Sequence, residues 1–336
     1  MRNPVHTTAT FLSGVARTAL ICAMGLLSCA QAAEKQLHIG ILSSGSGDGR
    51  AANETSLIEG LRAHGYVEGK NLVIERRYVS TQISVRVPEN ARELAGMKLD
   101  AIVTTCSPST QVAKSATSST PIVMVAVSDP VGQHLIASLA RPGQNVTGLA
   151  SQADELLPKR LEFIAAIVPR ATTIAVVLNA NNPVHAVGWK KLEVAAMQLK
   201  IKLLKIEVLG SDNLAAGLEA AARGNAGALL LMPDDPMFYN FRGQIVQLAA
   251  KYRLPDFYWT SDYVLAGGLL SYGENLRSSY YGAATYIDKI AKGSNPATLP
   301  VAQPTIFELV VNKKTAKALG ITIPGEILLR ADKVIE

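Results

Sequence analysis

Short β-rich runs alternate with amphipathic segments over nearly the whole chain, and that alternation limits the folds open to it. His38 to Leu42, Leu72 to Tyr78, Ala101 to Thr105 and Ile122 to Val127 read as strands. Asn53 to His64, Pro88 to Gly96 and Ser109 to Ala116 read as the helices between them. Ile122 to Val127 is purely apolar, as suits a strand covered on both faces of a parallel sheet. The pattern then restarts. Helices fall at Leu157–Val168, Pro183–Leu199, Asn213–Ala222, Phe238–Tyr252 and Ser278–Ala291. Strands fall at Thr173–Asn179, Lys202–Val208, Ala228–Met232, Pro255–Trp259 and Phe307–Asn312.

Repeated βα units imply open parallel sheets with right-handed crossovers. Two runs of about four units each imply an α/β protein of two doubly wound parallel-sheet lobes, rather than one barrel. Three Pro/Gly-rich stretches suit crossings between lobes: Arg141 to Gly148, Ala266 to Gly273 and Leu299 to Thr305. Three crossings place residues 33–147 with 271–302 in one lobe and 148–270 with 303–336 in the other.

The first 32 residues stand outside this pattern. Arg2 and Arg17 are their only formally charged side chains, Thr18 to Leu27 is mostly apolar, and Ala30 and Ala32 form an A-x-A site. These features read as a secretory signal peptide cleaved after Ala32. The apolar run is shorter than the roughly 20 residues a membrane span needs. Leu26-Leu27-Ser28-Cys29 loosely resembles a lipoprotein box, but Leu27 is bulky for it, so a freely diffusing periplasmic protein is preferred to one lipidated at Cys29. Removing the two arginines takes Lys+Arg from 33 to 31 against 27 acidic residues, a charge of about +4. That balance, with basic doublets only, argues against a nucleic-acid partner. Cys22 and Cys29 fall in the leader, so Cys106 is alone and is read as a small buried hydrophobe.

Parallel α/β sheets bind ligands beyond the carboxyl ends of their strands, where helix N-termini offer free N–H groups. In the first half the loops there supply Ser43, Ser44, Thr105, Ser107, Ser109, Ser128 and Asp129, with Thr147 beside the first crossing. In the second half they supply Asn179, Asn182, Asp234, Tyr258 and Trp259, with Tyr272 at the second crossing. Hydroxyls and helix starts suit a carboxylate, Asp129 or Asp234 an ammonium, and the aromatic residues an apolar or aromatic body. Together they suit a small zwitterion such as an amino acid. Ordinary helix capping competes with this reading at every Ser, Asn and Asp.

Catalytic signatures are missing from the sequence. Gly45-Ser-Gly-Asp-Gly49 places Arg50 where a dinucleotide fingerprint needs its third glycine. No histidine pair has metal-ligand spacing, and there is no G-x-S-x-G elbow. His38, His64, His134 and His185 read as surface or capping residues. Neither a cofactor nor a metal is expected, and the chain is read as a non-enzyme.

Several long segments resemble the bacterial ABC-transporter substrate-binding proteins of tryptophan/tyrosine type. They include Gly60-Leu-Arg-Ala-His-Gly-Tyr-Val-Glu-Gly-Lys-Asn-Leu-Val-Ile-Glu75, Asp129-Pro-Val-Gly132 and Ser138-Leu-Ala-Arg-Pro-Gly-Gln-Asn-Val-Thr-Gly-Leu149. Further on come Ala266 to Gly273, Ala284 to Gly293, Leu299 to Asn312, Lys314 to Gly320 and Leu328 to Glu336. The resemblance covers nearly all of the chain after the leader. It implies a type I periplasmic binding protein fold that closes over a small ligand and delivers it to an ABC permease in the inner membrane. It also implies that the loops after Thr105 and Asn179 face the ligand. The Gly/Ser-rich loop from Ser43 to Arg50 departs from relatives with bulkier residues there, so the family label does not transfer tryptophan or tyrosine. The expected ligand is an amino acid or an aromatic or carboxylate metabolite, bound by a monomer. The competing readings are a nucleotide-binding α/β enzyme and the ligand-sensing domain of a regulator.

Overall fold

The computed structural model describes residues 36–44, 48–79 and 83–336. The leader with Cys29 and Ala32, and residues 45–47 of the glycine loop, lie outside the described residues, as does the side chain of Ser44.

The first half builds a five-stranded, wholly parallel sheet ordered β2-β1-β3-β4-β5. Its strands are β1 (Leu37–Ser44), β2 (Leu72–Val79), β3 (Ala101–Thr104), β4 (Ile122–Ser128) and β5 (Val146–Ser151). Helices α1 (Asp48–Ala63), α2 (Ile83–Gly96) and α3 (Ser107–Ala116) connect them. Alternate residues point to opposite faces of a strand, and the packing follows that rule. Ile39, Ile41, Val103 and Val123 pack with Leu57 and Leu61 of α1. Ile102, Ile122 and Met124 pack with Ala91 and Leu94 of α2 and Ala113 of α3. Every residue of β4 is buried, which accounts for its unbroken apolar sequence.

The second half builds a seven-stranded sheet ordered β12-β11-β10-β9-β8-β6-β7. Its strands are β6 (Thr173–Asn179), β7 (Lys202–Val208), β8 (Ala228–Leu231), β9 (Asp256–Tyr258), β10 (Leu270–Glu274), β11 (Phe307–Asn312) and β12 (Lys333–Ile335). The pairing is parallel except between β10 and β11, which run antiparallel. Around it lie α4 (Leu157–Ile167), α5 (Pro183–Leu199), α6 (Leu214–Arg223), α7 (Pro236–Asn240), α8 (Arg242–Lys251) and α9 (Ser261–Leu265). Helices α11 (Lys313–Leu319) and α12 (Gly325–Arg330) complete this lobe.

Helix α10 (Leu276–Ala291) follows β10 but packs back on the first lobe, with Ala283, Ala284 and Ile287 in the core that α1 covers. A Cβ at Gly60 of α1 would stand 2.5 Å from the Tyr281 carbonyl oxygen, so the missing side chain permits this close helix approach. The chain therefore passes between lobes three times: after β5, after β10 and before β11. At the third passage Ala302 bridges Leu149, and the Ala150 N–H donates to the Ala302 carbonyl at 2.8 Å.

The sheets place the first two passages later in the chain than the sequence boundaries did. β5 keeps residues 148–151 in the first sheet, and β10 keeps 271–274 in the second. The Pro/Gly runs mark turns and close approaches near those strands, and the small residues of β5 give little strand signal. Three helices also differ from their sequence reading, the first by starting at Asp48 rather than Asn53. The second helix starts at Ile83 with Pro88 inside it, and the stretch read as one helix from Phe238 divides into α7 and α8.

Candidate functional site

The carboxyl ends of both sheets face each other and enclose a small cavity of about 50 Å3. Ligand pockets typically fall between about 300 and 1,000 Å3, so the lobes must part to admit a solute. From the first lobe Ser43, Asn53, Thr105, Cys106 and Ala126 line it, joined by Leu276 and Tyr280 of α10. From the second lobe come Asp234, Asp235, Pro236, Tyr239, Asn240 and Trp259. Every wall is thus made at a strand end, at the helix after it, or in α10 just beyond the second passage.

Asp234 is the centre of the lobe contact. Its side chain is only 5% exposed, and its backbone sits in the left-handed region at φ 55°. Ser107 Oγ donates to its Oδ2 at 2.5 Å, and the Ser128 N–H donates to the same oxygen at 3.2 Å. The Ser107 N–H reaches Oδ1 at 3.5 Å. Helix α3 has no side-chain cap of its own at Cys106, so the other lobe's carboxylate takes the place a cap would fill. Gln133 Nε2 donates to Ser107 Oγ at 3.0 Å and to the Ser128 carbonyl, which holds the serine as donor to Asp234. All these donors are neutral. Burial therefore pushes the Asp234 carboxyl up to about 7, against the lowering effect of its hydrogen bonds.

The second lobe holds Asp234 and its neighbour through a buried network. Asp235 caps α7, with Oδ1 accepting from the Met237 and Phe238 N–H groups. Its Oδ2 accepts from Asn179 Nδ2 at 2.9 Å and Asn182 Nδ2 at 3.1 Å. Asn182 caps α5 through Val184 and also donates to the Asp234 carbonyl. His185 Nδ1 accepts the Asn179 N–H at 2.9 Å, so the 2.9 Å contact of Nε2 with the Pro233 carbonyl is a donation. That pattern selects the neutral Nε2–H tautomer, and burial pushes the ring's pKa down.

The remaining sequence candidates divide by place. Ser43 and Thr105 line the cavity and are joined by a 3.0 Å hydrogen bond from Thr105 Oγ1 to Ser43 Oγ. Trp259 lines it from the second lobe. Asp129 lies in a wider groove on the far side of the Ser107–Asp234 contact, where its Oδ1 accepts the Gly132 N–H. The last four of these candidates line neither the cavity nor that groove. Ser109 turns back on its own helix start, donating to the Cys106 carbonyl. Thr147 donates to the Leu299 carbonyl and ties β5 to the third passage. Tyr258 is fully buried, stacked on Tyr263 at 4.3 Å and donating to Asp256. Tyr272 packs edge-on against Phe163 at 5.2 Å. Local capping and core packing occupy these four.

Sequence reasoning missed Asn53, Ala126, Asp235, Tyr239, Leu276 and Tyr280. Asp235 was visible as the second carboxylate of the Pro233-to-Pro236 loop. Tyr239 follows it by four residues, one helical turn. Asn53, Leu276 and Tyr280 come from helices whose contact with the cavity depends on α10 returning to the first lobe. Ala126 reaches the cavity through a bulge in β4, where its φ is 54° and the register with β5 shifts. Among the described residues no group of three or more His, Cys, Asp or Glu side chains could hold a metal ion. No described helix is long and apolar enough to cross a membrane.

Two α/β lobes, three passages and a cavity built from both define a receptor of the type I periplasmic binding class. Residues 38–335 match the family described as ABC transporter substrate binding protein, and the chain belongs to that family. It is therefore the solute-binding component of an ABC importer, taking a small molecule between its lobes. It is similar to a tyrosine-binding protein of Clostridioides difficile (strain R20291), at 26% identity over 86% of this chain and 82% of that one. It is also similar to the crystal structure of a Streptococcus pneumoniae ABC domain in complex with L-Trp. There the identity is 25%, the TM-score is 0.79, and the match covers 88% of this chain and 100% of that one. A ligand-free, open substrate binding protein with adhesive properties from Clostridium difficile matches at 26% identity. Its TM-score is 0.62, over 89% of this chain and 99% of that one. The identities are nearly equal, and the TM-score is higher against the structure in complex with L-Trp than against the open one.

Proposed function

We propose that the cavity captures an aromatic amino acid and that the protein, exported and monomeric, hands it to its permease without chemical change. The observation that carries this reading is the division of the cavity's lining. Tyr239, Trp259 and Tyr280 offer aromatic surface. Asp234 and the start of α3 offer a buried carboxylate and backbone N–H groups beside it, which suit the charged groups of an amino acid. The tyrosine-binding relative and the relative crystallised with L-Trp support an aromatic side chain. The lobes would be residues 37–151 with 276–302 and residues 152–275 with 303–336, moving about the three passages. Export fits the leader's composition, and mass spectrometry of the mature N-terminus would separate cleavage after Ala32 from lipidation of Cys29.

Calorimetry of the purified protein with L-tyrosine, L-tryptophan, glucose and galactose tests the ligand class. Aromatic amino acids are expected to bind and to raise the melting temperature, with the sugars inert. Binding of a sugar with no response to any aromatic amino acid would remove the proposal.

A further inference from the structure

Asn53 is 2% exposed and lines the cavity from α1. Its Nδ2 donates to the Tyr239 hydroxyl at 3.0 Å, across the lobe boundary. The Tyr239 hydroxyl donates to Asp262 Oδ2 at 2.6 Å. The direction of this relay is fixed by proton inventory. A carboxylate only accepts, and a phenol has one proton. Arg277 Nη2 stands 3.9 Å from Asp262 Oδ1 as its ion-pair partner. Burial and Asp262 push the Tyr239 hydroxyl's pKa far up, so it keeps its proton and gives it to Asp262. Toward Asn53 the hydroxyl is then the acceptor, and the amide turns its Nδ2 toward it.

The consequence falls on the other half of the amide. Asn53 Oδ1 is buried and has no hydrogen-bond partner. A buried acceptor without a donor is costly, and the relay prevents the amide from relieving it by flipping. Asn53 joins Tyr239, Trp259 and Tyr280 in the aromatic part of the lining; the Tyr239 and Trp259 ring centroids are 6.2 Å apart. Asp234 instead belongs to the wall that Ser107 and Ser128 close. A donor that meets Oδ1 would therefore come from the ring end of a bound aromatic solute, not from its ammonium.

We infer that Asn53 is a specificity-determining residue, selecting aromatic solutes that carry an O–H or N–H on the ring over those with a bare ring. This inference rests on the aromatic amino acid reading above. It groups phenols and indoles together and sets phenyl side chains apart. Sites built to hydrogen-bond a donor reject the analogue lacking it, because the protein group is left unpaired. The expected discrimination from one unpaired acceptor is roughly 5- to 150-fold.

Two ligand pairs differing in the donor provide the test by calorimetry: L-tyrosine against L-phenylalanine, and L-tryptophan against its benzothiophene analogue, with sulfur in place of the N–H. The wild-type protein should prefer the donor-bearing member of each pair. Asn53→Leu, checked for folding by its melting temperature, should bring both ratios close to one while still binding phenylalanine. Tyr239→Phe leaves Asn53 in place but frees its amide to turn, so it should narrow both ratios and covers the case in which Asn53→Leu does not fold. Equal affinities within each wild-type pair, or ratios unchanged in the variants, would overturn the inference alone. An absence of binding by every aromatic amino acid would overturn the ligand class and this inference with it.

Discussion

At the scale of single residues, three of the seven described non-glycine residues with positive φ lie at strand ends near the lobe contact. Ala126, Asp129 and Asp234 all have positive φ without being glycine, a state that surrounding structure must hold in place. Gly148 shows how tightly β4 and β5 fit beside that bulge. Its φ is +127°, and a Cβ there would stand 2.2 Å from the Met124 carbonyl oxygen and 2.8 Å from the Met124 nitrogen. Both contacts are with backbone, which cannot turn aside. Gly148→Ala is accordingly expected to destabilise the fold by on the order of 3 kcal/mol, from overpacking and a disfavoured φ together. Urea unfolding would measure it, and a midpoint within error of wild type would contradict the close fit. This residue scale was the least legible in the sequence. Strand-end loops with hydroxyls and carboxylates led to Ser43, Thr105, Asp234 and Trp259, all of which line the cavity. The same rule also led to Ser109, because a serine that caps its own helix and one that faces a cavity have the same sequence surroundings. Asn53 carries no local sign at all, since its partner Tyr239 is 186 positions away.

At the scale of elements, the passages between lobes are tied by one side chain. Arg160 of α4 is fully buried. Its Nη1 donates to the Ala153 carbonyl just after β5, and its Nε donates to the Tyr272 carbonyl in β10, both at 2.7 Å. Close by, Ser151 Oγ donates to Glu274 Oε1, joining the last residues of those two strands. Burial pushes Glu274 up to about 7 and lowers Arg160 to about 9, which leaves the guanidinium protonated at neutral pH. Its fork matches two carbonyls, one just after β5 and one within β10, and a lysine cannot reproduce that geometry. Arg160→Met should leave both carbonyls without their donor and cost about 3 kcal/mol or more. Arg160→Lys should recover only part of it. If either variant unfolds in urea at the wild-type midpoint, the guanidinium does not hold the passages. Strands and helices themselves were largely legible here, because buried parallel strands are apolar throughout and the helices between them are amphipathic. β10 was read as a crossing, because Gly268 and Gly273 look like turn residues. They instead allow close approach, with a Cβ at Gly273 falling 1.9 Å from the Trp259 carbonyl oxygen.

At the scale of the whole molecule, the contact that closes the cleft buries an acid. In the closed form Asp234 takes its proton near pH 7, whereas water entering an open cleft would return it toward the ordinary value of about 3.9. Between those two values the closed form holds a proton that the open form has released. Lowering the pH through this window therefore favours closure, and raising it toward 7 removes that advantage. Above pH 7 both forms are ionised, and closing must bury an anion held by neutral donors alone. A solute ammonium beside Asp234 would reverse that cost, so a bound amino acid would do at neutral pH what a proton does at pH 5. The ligand-free protein should consequently become more compact by small-angle scattering as the pH falls from 8 to 5. The liganded protein should stay compact across the range. Asp234→Asn keeps an acceptor for Ser107 and Ser128 and removes the ionisation. It should flatten the pH response without a ligand and weaken amino acid binding at pH 8. Asp256, Glu274 and His185 also have displaced pKa values but remain in this variant, so a pH response that survives the substitution would assign the effect to them and not to Asp234. A wild-type radius of gyration that does not change between pH 8 and 5 would show that closure does not depend on this carboxyl, and Ser107 and Ser128 would then hold the lobes as well against the anion as against the acid.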